Sequence, residues 1–79
     1  MVTQQADRVT ELAERLATNI KILRSINNWT QQDLADTVGC DRVTIARIET
    51  CVLAPKFTLV CLIADAFGTD VSVFTKKLA

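Results

Sequence analysis

The chain has no histidine, no tyrosine, one proline and only two glycines among its 79 residues. Each shortage excludes something. Without histidine, a zinc site would fall to Cys40, Cys51 and Cys61, an odd number with no Cys-x-x-Cys pairing and too few ligands at metal spacing. With no histidine or tyrosine, no glycine-rich phosphate loop and no convincing nucleophile–base pair, an enzyme is disfavoured. No cofactor and no small-molecule substrate is expected. Two glycines and one proline supply too little turn chemistry for an all-β fold. A basic excess is missing too. Nine basic and nine acidic residues give a formal net charge of +0, whereas nucleic-acid binders usually carry a positive surplus that neutralises phosphates. Any affinity for DNA must therefore come from where the charges lie.

The cysteines are read as reduced, small and mostly apolar, as in a cytoplasmic protein. Met1–Thr10 is too polar for a signal peptide. The longest apolar stretch, Leu59–Ala64, stops at Asp65 and is far too short to span a bilayer, so no membrane partner is expected. No segment is low in complexity and no long period repeats.

What is present is a packing composition, 49% hydrophobic and 23% charged. This length and balance fit one domain, residues 1–79, with a modest core. Five helices are expected. The first runs from about Thr3 to Asn27, with Val9, Leu12, Ala13, Leu16, Ile20, Leu23 and Ile26 recurring at threes and fours along a buried face. Residues 1–6 are candidates for fraying. The second, Gln31–Val38, starts at Thr30 as N-cap with Asp33 as the acid of a capping box. Trp29 and Leu34 occupy the hydrophobic-staple positions, and Gly39 ends the helix. Asp41 is the N-cap of a third helix, Arg42–Thr50. A fourth covers about Phe57–Phe67 and ends at Gly68. Asp70 or Thr69 then caps a fifth, Val71–Leu78, whose Lys76 and Lys77 complement its negative end.

The informative stretch is Gln31–Glu49, QQDLADTVGCDRVTIARIE. Two short helices meet at a tight turn on Gly39. Ala35 is small where they approach, and Leu34, Val38, Ile45 and Ile48 share a core. This is a helix-turn-helix arrangement over residues 31–50, whose second helix projects far enough to enter a groove.

The Gln-x-x-x-Ala-x-x-x-Gly run, Ile45, the Ile48-Glu49 pair, and PKFTLVCLIADAFGTDVSV after them resemble the phage repressor and Cro family. These are helix-turn-helix regulators also named for the xenobiotic response element. The likeness spans roughly Leu16–Leu78. It implies an all-α, five-helix bundle of the lambda-repressor type and a sequence-specific regulator of transcription that binds double-stranded DNA. Carried over position by position, it implies that Arg42, Val43, Thr44 and Arg47 touch base edges. Gln31, Thr50, Lys56 and Lys21 contact phosphates, and Arg24 and Glu49 form a structural salt bridge. The chemistry agrees, since Arg42 can grip guanine O6 and N7 together and Val43 can pack on a thymine methyl. Val43 is equally readable as a core residue, and Gln31 and Thr30 as caps.

The loop after the third helix departs from the family. It reads Thr50, Cys51, Val52, Leu53, Ala54, Pro55, with only Lys56 basic, where relatives carry polar residues and a glycine. Val52, Leu53, Leu59, Leu62, Val73 and Phe74 offer more apolar surface than one small core needs, which marks an interface. Residues 51–79 are therefore expected to form a homodimer that presents two recognition helices to a near-palindromic operator. A Cro-like repressor and a restriction–modification controller both fit. The alternative is an antitoxin-type module that represses its own promoter with a toxin. Beyond DNA and a second copy, a toxin or RNA polymerase are the candidate partners.

Overall fold

The computed structural model describes residues 2–76, with side chains from Asp7 onward. Met1 and residues 77–79, where the expected fifth helix ends and where Lys77 stands, lie outside the described residues. Four α-helices follow one another: α1 Val2–Ile26, α2 Gln31–Val38, α3 Arg42–Glu49 and α4 Phe57–Ala66. A short 3-10 helix, Val71–Thr75, comes last, and no strand forms among the described residues. The chain is all-helical. Where a fifth α-helix was expected, the backbone takes the tighter 3-10 winding.

The core joins every element. Ile20 from α1, Leu34 and Ala35 from α2, Ile45 and Ile48 from α3, Ile63 and Ala64 from α4, and Phe74 from the 3-10 helix form one buried cluster. The helix α2 packs on α3 and α4, while α1 packs on α3 and the 3-10 helix. Trp29, between α1 and α2, lies 5.2 Å from Phe67 ring to ring, tilted by 31°. That arrangement closes the α2–α4 side.

The apolar stripe of α1 is shorter than its periodicity suggests. Val9 is 65% and Ile26 70% exposed, because the rest of the molecule covers only the middle of the helix. Burial sets in around Leu12 and deepens at Ala17, Asn19 and Ile20. The helix begins at Val2.

Asn19 explains the last element. It is 1% exposed, and its Nδ2 donates to the carbonyls of Val73 at 2.7 Å and Lys76 at 2.9 Å. Arg15 donates to the carbonyl of Thr75 at 2.8 Å. Carbonyls that an α-helix would hand to its own next turn are thus satisfied by α1 instead. Asp70 caps the start, accepting from the Ser72 amide at 2.9 Å. The carbonyl Oδ1 of Asn19 is buried without a hydrogen-bond partner.

Candidate nucleic-acid interface

The helix-turn-helix is built from local rules. Thr30 Oγ1 accepts from the Asp33 amide at 3.0 Å, and Asp33 Oδ2 accepts from the Thr30 amide at 2.9 Å, a reciprocal capping box. The turn runs through Gly39 at φ 81°, a left-handed conformation that costs a glycine little. Three residues later α3 begins at Arg42. Its inward side is fixed by Ile45, Ile48 and Glu49, all buried.

On the outward side of α3, Arg42, Val43 and Arg47 are exposed, Val43 by 49%, and Thr44 is half-buried. The structure thus sets Val43 on the surface rather than in the core. Thr50 is exposed, but its hydroxyl donates to the Ala46 carbonyl at 2.9 Å, so it meets an outside group chiefly as an acceptor. Lys21 on α1 and Lys56 at the start of α4 are exposed. Neither they nor Arg47 enter an ion pair among the described residues.

Behind this face lies a chain of polar contacts. Arg24 Nε donates to Glu49 Oε2 at 2.7 Å and Nη2 to Oε1 at 2.8 Å, a two-pronged pair. Arg24 Nη1 also donates to the Trp29 carbonyl at 3.0 Å. Gln31 Nε2 donates to Glu49 Oε1 at 3.1 Å, and Gln31 Oε1 accepts from Arg42 Nη1 at 3.3 Å. The side chain of Glu49 is 3% exposed and that of Arg24 18%. The Glu49 hydrogen bond raises the Arg24 pKa above its ordinary value, burial opposes the rise, and the carboxylate charge adds to it. Of the residues singled out in the sequence, Arg24, Gln31, Arg42 and Glu49 come together, linking α1, α2 and α3. Lys21 and Lys56 stand outside this cluster.

The expected partner surface divides. Val52, Leu53 and Leu62 are exposed, Val52 by 73%. Leu59 and Val73 are half-buried against the core. Phe74 is 3% exposed and sits in the core instead of at the expected partner surface, because Asn19 and Arg15 fold the 3-10 helix back onto α1 and turn that ring inward. Phe57, 71% exposed, belongs with the outward apolar residues and was not among those expected at the partner surface. An apolar groove of about 230 Å³ runs beside α1, lined by Val9, Leu12, Leu53, Pro55 and Val60 among others. Among the described residues, no helix is long and apolar enough to cross a membrane.

The family model described as "Helix-turn-helix" matches residues 20–74. The chain belongs to the helix-turn-helix family of DNA-binding regulators, of the xenobiotic-response-element type. A hypothetical transcription factor from Neisseria, NHTF, has a similar crystal structure. The TM-score is 0.81 at 24% sequence identity, covering 85% of this chain and 77% of that one, and the likeness concerns the fold. No curated protein matches the chain.

Proposed function

We propose that this helix-turn-helix regulator reads a near-palindromic operator as a homodimer, in the manner of a Cro-like repressor or a restriction–modification controller in the cytoplasm. One observation carries the reading: Arg42, Val43 and Arg47 form an exposed edge of α3, backed by the buried Glu49 and its half-buried partners Gln31 and Arg24. A braced helix keeps its reading side chains in register while its outer face stays free for a groove. Arg42, Val43, Thr44 and Arg47 take the base edges. Gln31, Thr50, Lys56 and Lys21 take phosphates. Val52, Leu53 and Leu62, with the flanking Leu59 and Val73, meet the second copy and set the two α3 helices about 34 Å apart, one turn of DNA.

Footprinting on the DNA beside its own gene, followed by titration of the protected duplex, tests this. Arg42→Ala is expected to lose about 1–3 kcal/mol and to relax preference at one base pair. Unchanged affinity in the variant, together with an unchanged preference for the matched over the scrambled duplex, would remove Arg42 from the reading edge. Light scattering at high micromolar concentration reports the dimer, and a strictly monomeric mass would refute it.

A second reading is favoured by the exposed Val52 and Leu53 together with a net charge of +0. An antitoxin uses such a loop to hold a toxin while its helix-turn-helix holds the promoter. Co-purification with a small basic protein would select this reading over the free-standing repressor.

A further inference from the structure

Thr30, Asp41 and Asp70 each stand at a helix N-cap with a side-chain acceptor. Thr30 accepts from the Asp33 amide and Asp70 from the Ser72 amide. Asp41 holds the same extended backbone, φ −81° and ψ 150°, yet its side chain makes no cap hydrogen bond. It is exposed and enters no ion pair among the described residues. Its carbonyl accepts from the Thr44 and Ile45 amides at 3.0 and 3.4 Å, so its backbone is tied to the start of α3. A free carboxylate therefore projects from a fixed root, one residue ahead of Arg42.

Such an anion works against DNA affinity, because it repels phosphates whatever the sequence. It has an unspent acceptor to offer in return, and the base edges differ in how they meet one. In the major groove cytosine presents only the N4 amine, a donor. Guanine presents two acceptors, thymine an acceptor and a methyl group, and adenine a donor beside the N7 acceptor. Resting on the assignment of α3 as the groove-reading helix, we infer that Asp41 determines specificity at one base pair. Its carboxylate accepts from the N4 amine of a cytosine next to the guanine that Arg42 holds. Guanine and thymine are rejected there because acceptor would face acceptor. The residue lowers affinity for every duplex and raises selectivity for one.

The test is selection of duplexes from a library randomised over about 20 base pairs, two half-sites' worth, by wild type, Asp41→Ala and Asp41→Asn. Wild type is expected to enrich cytosine at a fixed place beside guanine. Asp41→Ala should lose about tenfold discrimination at that pair alone. Asp41→Asn should turn the preference toward adenine, whose N6 and N7 suit an amide. A uniform gain of affinity in Asp41→Ala with its base preference intact would reduce Asp41 to a repulsive charge and overturn the inference. If wild type itself enriches no sequence, the DNA-reading assignment falls and takes the inference with it. Native far-ultraviolet dichroism in both variants separates lost reading from lost folding.

Discussion

Glu49 is a carboxylate with 3% of its side chain exposed, and three donors surround it. Two come from Arg24 and one from Gln31. Removing the carboxylate strands the Arg24 guanidinium, which retains only the Trp29 carbonyl. A buried charge left without its partner costs about 3–5 kcal/mol, and the surviving hydrogen bond places Glu49→Ala near the lower end. A urea melt should therefore show a loss of about 3 kcal/mol, and an unchanged midpoint would mean that the pair orients nothing. Asp70 gives the pH-sensitive counterpart. Its pKa lies below the ordinary carboxylate value, first because of the backbone hydrogen bond from Ser72 and then the side-chain hydrogen bond at the same residue. The unfolded chain consequently takes up that proton at higher pH than the folded one. The stabilisation is fully present above the unfolded pKa of about 4 and fades as pH falls through the lower folded value. Asp70→Asn cannot titrate, so its stability deficit relative to wild type should shrink on acidification below about pH 4. A deficit that stays constant down to pH 2 would show that the carboxylate charge contributes nothing.

Each of the four α-helices closes on a residue in left-handed conformation: Asn28 at φ 57°, Gly39 at 81°, Cys51 at 62° and Gly68 at 65°. After α3, the Val52 amide reaches back to the Arg47 carbonyl at 2.9 Å and the Cys51 amide to Ile48 at 3.1 Å, the pairing that ends a helix with a reversed turn. A cysteine side chain crowds its backbone there by about 1–2 kcal/mol. Glycine would relieve that strain while adding about 0.5–1 kcal/mol of unfolded-state entropy. Cys51→Gly should thus raise stability by roughly 0.5 kcal/mol; a clear destabilisation would show that the thiol makes a contact worth more than the strain. The element boundaries that could be read from sequence are those written in side chains. Thr30 with Asp33, and the glycines at 39 and 68, announce themselves. Cys51 does the same work without a typical residue, so the turn it makes was not legible, whereas Asn28 is of a type suited to the left-handed region and was passed over. Periodicity also passed over Asn19, a polar residue at a buried position, because its reason for burial is a set of backbone carbonyls 54 and 57 residues away. The 3-10 winding and the inward turn of Phe74 follow from that latch, and neither could be read without it. The Arg24–Glu49 pairing was anticipated through family likeness, whereas the Gln31 link to Arg42 is a property of the folded chain.

With a net charge of +0, the whole molecule has no general attraction for a polyanion, so binding must depend on a few local cations. Lys56 and Lys21 are the proposed charged phosphate contacts, and each duplex phosphate neutralised releases condensed counterions. The logarithm of affinity then falls with the logarithm of salt at a slope of about 0.9 per phosphate contact. This makes the slope a count of protomers as well as of lysines. If one protomer binds, Lys56→Ala removes one contact and the slope becomes shallower by about one unit. If two protomers bind, the same substitution removes two contacts and the slope should change by about two units. Affinity for matched and scrambled duplexes should fall together, since a phosphate contact carries no sequence, whereas the loss in Arg42→Ala should be confined to the matched duplex. An identical slope in wild type and Lys56→Ala would place this lysine away from the backbone. A change of one unit alongside a dimeric mass in solution would mean that the exposed apolar residues join two copies in a geometry that sets only one of them on the DNA.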